Sequence, residues 1–486
     1  MKIILLIIII STTTLSAQFV EDGLRYALSN DRYTARSQAL GISYLGISDD
    51  VAALHYNPAG LSLMPKMEIS FGMNLDLLDN SMAYNSNLFS QQDSKLTLNN
   101  VGITFPIEDF MDNSGIGFSF FKSNSYDALS SFNSFRNNNT FISNQANYAD
   151  KSSNDFRNIS YDLYLTDDDY NTPLNNLNQE INILEGGGIN NLIFGYGTEL
   201  SEIFSLGFSI NASFGSYKFS KKIIETDTEK KYQNDDLPND INFYDFYMNE
   251  IVNQDVSGFA IKIGFLFKPT ENSRLNITVQ SPTWIDIDEN WSIDANARND
   301  RGNLINNAIL SDNGFSAYRV STPIVMSMGY SININNLTLT SGLEYADMSS
   351  ISFDTQFNEY SSDDSSPISN SSLISTLNQD AKTLLGNEIK WGLGAEYYLE
   401  SAKMFMRASA SGKSSPWVET QVQGNILNYG GGLGIIVGGS VRIDLTLTVA
   451  NYNRNEILYG FDENAAKFSN QVSNMNFGMG ITYRFD

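Results

Sequence analysis

The chain has 486 residues, a formal charge of −25, 12% aromatic residues, 35 glycines and no cysteine. That charge repels phosphate at every approach and excludes nucleic acid as a partner. Without a thiol there is no disulfide staple, no lipid-modified N-terminal cysteine, no thiolate metal site and no thiol catalysis.

Met1-Lys2 is a minimal positive start, Ile3–Ile10 an unbroken apolar run, and Ser11–Ala17 a small, polar tail with a cut expected between Ala17 and Gln18. A spanning helix needs roughly 20 apolar residues, so residues 1–17 are read as a signal peptide. No second long apolar run follows. A membrane protein without spanning helices must satisfy its backbone in lipid as a closed β-barrel.

Residues 18–64 do not alternate and are read as a small plug, or hatch, inside such a barrel. Asp49-Asp50 is expected to cap a short helix over Val51–Leu54, ended by Asn57-Pro58 and turned at Gly60. His55, the only histidine, titrates near neutrality in its ordinary state and is a candidate pH sensor. The competing and favoured reading is a structural role beside Asn57.

From residue 65 the chain alternates over spanning lengths. Met67, Ile69, Phe71, Met73 and Leu75 fall on one face, and Glu68, Ser70, Gly72, Asn74 and Asp76 on the other. The same grammar recurs at Phe204–Gly215, Phe259–Phe267 and Met475–Phe485. A strand sends successive side chains to opposite faces, so this pattern predicts a lipid-facing and a lumen-facing side. Strands are expected near 67–77, 97–105, 114–122, 189–200, 203–219, 257–268, 273–280, 322–333, 336–346, 388–399, 403–411, 428–438, 440–452 and 474–485. The fold class is therefore all-β: a transmembrane antiparallel barrel of about 14 strands spanning 65–486, an even number as such barrels require. Seven long external loops (78–96, 123–188, 220–256, 281–321, 347–387, 412–427, 453–473) alternate with short turns. Ile159–Leu165 is assigned to the second of these loops.

The loops are rich in Asn, Ser and Asp, as at Asp150–Asp155, Thr166–Tyr170 and Ser361–Asn370, which reads as solvated loop. Asp167-Asp168-Asp169 lacks the spacing of a calcium loop, and nothing in the pattern calls for a metal or a cofactor. In loop 220–256, Phe243, Phe246, Tyr247 and Ile251 fall at helical spacing and predict an amphipathic helix with an aromatic face. The next loop carries Trp284, Ile285 and Trp291. Together these are candidates for a hydrophobic groove, with Trp284 alternatively part of an aromatic girdle. Parity turns Glu68, Lys262, Glu344, Glu396, Arg407, Arg442, Asp444 and Arg484 inward. Lys262 and Arg407 are candidates to meet a fatty carboxylate; pairing among these charges or with the plug is the stronger expectation. One histidine, no phosphate loop and no zinc-binding helix argue against an enzyme.

The run Asp49-Asp50-Val51-Ala52-Ala53-Leu54-His55-Tyr56-Asn57-Pro58-Ala59-Gly60-Leu61 resembles the N-terminal hatch of the outer-membrane long-chain fatty-acid and hydrocarbon transporters, whose hatch motif maps onto Asn57, Pro58 and Ala59. The resemblance implies a fourteen-stranded barrel in the outer membrane and passive uptake of hydrophobic compounds. It also implies a first groove on the third and fourth external loops, rearrangement of the hatch and lateral release through the wall. The partners expected on this reading are membrane lipid and a hydrophobic small molecule or fatty acid, with the protein a monomer. Two alternatives stay open: a non-transporting barrel that anchors or shuttles secreted surface proteins, and an aqueous porin, which the plug disfavours.

Overall fold

Runs rich in aromatic and β-branched residues with a period of two form pleated, half-buried strands, and in the computed structural model they close on themselves. The structure describes residues 20–28, 32–107, 113–136, 139–148, 159–167, 171–172, 174–232, 242–361, 364–368, 371–419, 422–459 and 466–485. The expected leader, Asp150–Asp155 and Asp168-Asp169 lie outside the described residues.

The strand segments are β1 (Glu68–Tyr84), β2 (Asn87–Ile107), β3 (Ser114–Ser125), β4 (Ala128–Arg136), β5 (Leu177–Ser201), β6 (Phe204–Thr226) and β7 (Phe243–Thr270). They continue with β8 (Ser273–Gln280), β9 (Trp284–Asn299), β10 (Leu310–Ser321), β11 (Val325–Ile334), β12 (Leu337–Asp347), β13 (Ser352–Ser361) and β14 (Asp364–Ile368). The last five are β15 (Asn387–Leu399), β16 (Met404–Lys413), β17 (Ile426–Val437), β18 (Val441–Tyr459) and β19 (Ala466–Arg484). Fourteen of them form a closed antiparallel barrel in the order β1, β2, β3, β5, β6, β7, β8, β11, β12, β15, β16, β17, β18, β19. The ring closes where β1 pairs with β19, from Glu68–Arg484 to Ala83–Ser469. Each of the fourteen strands expected from the alternation has its counterpart here.

The remaining segments lengthen the barrel at the end with the long connections. β4 prolongs β3 and pairs with β5; β9 prolongs β8 and pairs with β7; β10 runs down into β11 and pairs with β9 and β13. Pro282 and Pro323 sit at two of the breaks, where a residue without an N–H cannot continue a ladder. Across these two breaks Thr283 N donates to Thr322 Oγ1 at 2.9 Å and Thr322 N donates to Thr283 O at 3.1 Å.

These extensions correct the reading of the long connections. Phe243, Phe246, Tyr247 and Ile251 are not on a helix: they belong to β7, with Tyr247 opposite Ile224 of β6 and Asn296 of β9. Trp284, Ile285 and Trp291 are likewise on β9 rather than in a loop. Helical spacing in a short aromatic stretch yields to two neighbouring ladders that satisfy every backbone group. Much of 78–96 is strand as well, since β1 and β2 meet in a two-residue turn at 85–86. Within the stretch assigned to the second loop, Ile159–Asp162 form a short helix.

One strand shows how the barrel meets two solvents. On β7 the odd positions from Asn253 to Phe267 face out. Phe259, Ile261, Ile263 and Phe267 are exposed there, but further along Ser257, Asp255 and Asn253 take the same face. The even positions become apolar instead, with Val256, Val252 and Met248 buried. β9 continues this inverted pattern, with Ile285, Ile287, Trp291 and Ile293 inward and Asp286, Asp288 and Asn290 outward. The outward apolar belt suits hydrocarbon as its solvent; beyond it, an outward polar face suits water and the apolar residues turn into the interior. Ile263→Arg is therefore expected to cost about 2–4 kcal/mol of folding stability, against less than about 0.5 kcal/mol for Asn253→Arg on the same face. Urea-dependent folding into lipid vesicles measures both, and equal costs would place the belt elsewhere.

Candidate functional site

Inside the barrel the chain fills the lumen at three levels. Nearest the short turns lies the hatch, residues 32–64, built from α2 (Ala35–Leu40), α3 (Ala53–Tyr56) and two 3₁₀ turns around a core that includes Tyr33, Leu40, Tyr44, Leu45, Leu54 and Leu61. Thr34 and Ser37 form a capping box at α2. Asp50 accepts from Ala52 N at 3.0 Å in the turn before α3, but the helix starts two residues later than expected and its N-cap, Ala52, has no side-chain cap. Asn57 ends α3 in an extended conformation and turns the chain into the Pro58–Leu63 turn, where its Oδ1 accepts from Ala59 N at 3.0 Å.

The hatch reaches all fourteen barrel strands, and two devices hold it. The first is close approach to wall glycines. A Cβ at Gly329 would lie 2.5 Å from Gly46 N, one at Gly392 2.7 Å from Ile42 Cγ2, one at Gly430 2.7 Å from Ala39 O and one at Gly115 2.5 Å from Leu61 O. Gly207 and Gly197 leave the same room for Pro58 and Ala59, and Gly264 for Asn57. Asn57 Nδ2 also donates to Phe265 O at 3.0 Å and to Asn276 Oδ1 at 2.6 Å.

The second device is a ring of alternating charge. Arg36 of α2 grips Glu396 of β15 with two bonds, at 2.9 and 2.8 Å. Arg407 of β16 bridges Glu396 at 2.5 Å and Asp444 of β18 at 2.7 Å. Arg442 links Asp444 at 2.8 Å to Asp50 at 3.2 Å, and Asp50 returns to Arg36 at 3.3 Å. Asp49 extends the ring, 2.6 Å from Arg36 and 3.1 Å from Arg274 of β8. Burial opposes the charge on Asp49, but Arg36 and Arg274 outweigh it and hold the carboxyl well below the usual carboxylate range.

Above the hatch, α1 (Val20–Ala27) and α6 (Ser371–Leu384) enter the extended part of the barrel. Val20 and Leu24 pack there with Ile285, Ile287, Val320 and Phe353 in a second apolar cluster. A third cluster closes the far end, where α4 (Phe141–Tyr148) and α5 (Ile159–Asp162) bring Phe141 and Ile159 onto Phe243, Phe246 and Trp291. Glu225 of β6 accepts the first N–H groups of α4, from Phe141 at 2.6 Å and Ile142 at 3.2 Å.

The wall is split between β2 and β3. β2 pairs with β1 along its length but with β3 only from Asn100–Phe121 to Ile107–Ser114, so residues 87–99 are paired on one side. The ladders on both sides are irregular there, between Gly72 and Met73 and between Lys122 and Asn124. Gly187 of β5, at φ +103°, turns the backbone beside the β3–β4 break as only glycine readily does. Side chains span the split: Lys95 meets Asp127 at 2.5 Å, and the Phe89 and Phe132 rings lie 5.6 Å apart.

No protein-family model and no curated protein matches the chain. Solved structures do, over nearly its whole length. A Pseudomonas aeruginosa FadL homologue is 13% identical, with 93% of this chain and 98% of that chain covered and a TM-score of 0.58. The P. putida toluene transporter TodX is 12% identical, with 94% and 99% covered and a TM-score of 0.55. The Ralstonia pickettii toluene transporter TbuX is 15% identical, with 94% and 99% covered and a TM-score of 0.51. The chain has the FadL-type fold.

Within this FadL-type barrel the residues singled out from the sequence separate into two groups. Asp49, Asp50, His55, Asn57, Pro58 and Ala59 come together in the hatch and its wall contacts. Lys262 and Arg407 do face the lumen; Lys262 Nζ donates to His55 O and Arg407 is in the charge ring, so both engage the plug or its neighbours. Phe243, Phe246 and Trp291 line the far interior cluster and Ile285 the middle one, while Tyr247 and Ile251 are half-buried on the outer face. Trp284 is exposed outward opposite Phe259. Arg36 carried no signal in the sequence, because Glu396, which it grips with two bonds, lies 360 positions away. The interior face of β9 alternates from Ile285 to Ala297 in the stretch expected to be loop.

His55 stacks on Tyr33 at 3.7 Å between ring centroids. Loss of hydration, reinforced by Lys262 and Lys390, holds its imidazole well below the usual histidine range. A histidine that binds fewer protons folded than unfolded contributes full stability above about pH 6.5 and loses it as pH falls through that value. Protection factors across residues 32–64, corrected for the intrinsic pH dependence of amide exchange, are expected to fall between pH 7.5 and 5, and His55→Phe to remove the part of that fall due to the imidazole. Arg36→Met leaves Glu396 and Asp50 short of a partner and is expected to loosen the hatch by about 3–5 kcal/mol. The same exchange measurement reads it, and unchanged protection would show that the ring does not hold the hatch.

Proposed function

We propose that this barrel lies in the bacterial outer membrane and passes hydrophobic compounds, long-chain fatty acids or hydrocarbons, passively inward. In this reading the end with the long hairpins faces outside. The observation that carries it is the inverted interior: beyond the lipid belt the barrel turns its apolar side chains inward, above a hatch fixed to every strand. A polar solute has no use for such a passage. An apolar one gains about 25 cal/mol for each Å² that it hides from water. With the base of the lumen closed, the split between β2 and β3 is the way out, into lipid rather than into water. α1, which precedes the hatch in the N-terminal segment and occupies the middle cluster, gates this route. The FadL-type neighbours, whose names include toluene transporters, support a transport role and not an enzymatic one.

The absence of native cysteine makes the test clean. Lys95→Cys/Asp127→Cys, joined by a short thiol cross-linker, is expected to cut uptake of a radiolabelled hydrocarbon by tenfold or more, with recovery when a cleavable linker is reduced. Undiminished uptake in the linked barrel would place the exit elsewhere. No uptake by the unmodified barrel, with a secreted protein recovered on its loops, would favour the anchoring role instead.

A further inference from the structure

Between the middle and far apolar clusters lies a band of polar side chains, which α1 meets through the Tyr26 hydroxyl donating to Gln254 Oε1. Glu289 of β9 faces inward and is fully buried, directly opposite Gln254 of β7 and Ser316 of β10. Gln254 Nε2 donates to Glu289 Oε2 at 2.6 Å and to Tyr318 Oη at 3.2 Å, and Tyr318 Oη lies 3.4 Å from the same carboxylate oxygen. The other oxygen, Glu289 Oε1, has no hydrogen-bond partner among the described residues. Neither has Ser316 Oγ, nor Trp291 Nε1. Ser316 is fully buried and Trp291 only 6% exposed.

The register brings these three orphans together. Ser316 stands across from Glu289, and Trp291 is the next inward residue of β9. The Trp291 indole leans over Gly314, the inward neighbour of Ser316, where an added Cβ would lie 2.9 Å from Nε1. An acceptor, an N–H donor and a hydroxyl that serves as either thus stand on neighbouring inward positions of β9 and β10, with apolar side chains on both sides. Leaving a buried polar group unmade costs about 1–3 kcal/mol, so three at one spot call for a ligand that completes them.

We infer that Glu289, Ser316 and Trp291 form a head-group site for an uncharged hydrophobic molecule bearing one hydroxyl, such as an aliphatic or aromatic alcohol. Its O–H donates to Glu289 Oε1, its oxygen accepts from Trp291 Nε1 and Ser316 Oγ, and its apolar body lies in the flanking clusters. The inference rests on the transport reading and narrows its substrate class. A fatty carboxylate fits poorly, because it brings no donor and meets negative charge. Asp22 of α1 adds to the field at Glu289, while Arg25, the cation that acts on it, is paired with Asp22 and lies 3.7 Å over the Tyr217 ring. Burial, and then Asp22, push the Glu289 carboxyl up to about 7 despite the bonds from Gln254 and Tyr318. Above that value the discrimination is at its sharpest.

The test is binding of decane, 1-decanol and decanoate to the full chain in lipid nanodiscs at pH 8.5. 1-Decanol is expected to bind roughly tenfold more tightly than either of the others, the worth of one to two well-placed hydrogen bonds. Glu289→Gln is expected to bring decanoate level with the alcohol. Trp291→Phe and Ser316→Ala, which keep most of the packing, are each expected to bring the alcohol towards decane. Equal binding of decane and 1-decanol, or decanoate binding as well as the alcohol, overturns the head-group site and leaves the hydrophobic route standing. Binding of none of the three overturns the route itself and the site with it.

Discussion

Six side chains from the hatch and three strands close a ring of alternating charge in the lumen, Arg36–Glu396–Arg407–Asp444–Arg442–Asp50, and what the ring prevents decides how the barrel works. Every member has one partner on either side, so removing any one strands two others in a site with little water. Buried pairs contribute little net stability compared with apolar packing but are costly to break from one side. Such a ring selects a position for the hatch more than it strengthens the fold. The wall glycines act in the same sense by shape. With backbone set against backbone at Gly329, Gly430 and Gly115, the hatch has no room to slide and no side chain that yields.

A stopper fixed in this way makes the rest of the interior intelligible. If the lumen led straight through, its lining above the hatch would need to suit water. It is apolar instead, and it becomes so where the outer face stops being apolar. The inversion follows from a constant strand geometry meeting lipid and then water on the same outer face. Residues such as Val252, Val256, Ile285 and Ile287 are then available on the inside, and α1, α4 and α6 fill the space they line. The split beyond Asn100 and Phe121 is the complementary feature. An unpaired strand edge is expensive against lipid, and here side-chain contacts such as Lys95–Asp127 and Asn87–Ser134, rather than a backbone ladder, close it.

Much of this was legible in the sequence for a physical reason: a barrel strand reads its two solvents residue by residue, so Glu68–Asp76 and Phe259–Phe267 disclose their faces without help from the fold. The hatch motif was equally open, because Asn57-Pro58 must end a helix and begin a turn. Two things were hidden. Phe243–Ile251 suited a helix by spacing, and only the ladders of β6 and β9 on either side make it a strand. The ring was hidden for another reason: Arg36 meets Glu396, a partner 360 positions away, through tertiary structure alone. Parity turned Glu396, Arg407, Arg442 and Asp444 inward but did not say what they would meet. The inverted segment from Ile285 to Ala297 was visible as alternation, yet its apolar face points the opposite way to a lipid-facing strand, and only the closed barrel shows which way that is.

The claim that the hatch stays in place while substrate leaves through the wall has one direct measurement. Ser62 of the hatch and Ser205 of β6 face each other with their hydroxyl oxygens 2.9 Å apart, and Ser62→Cys/Ser205→Cys places a disulfide there with no other cysteine to compete. Hydrocarbon uptake into proteoliposomes is compared before and after oxidation. The account predicts the same rate with the hatch covalently tied to the wall. Loss of uptake on oxidation, restored by reduction, would show that substrate passes through the space the hatch base occupies, and would contradict it.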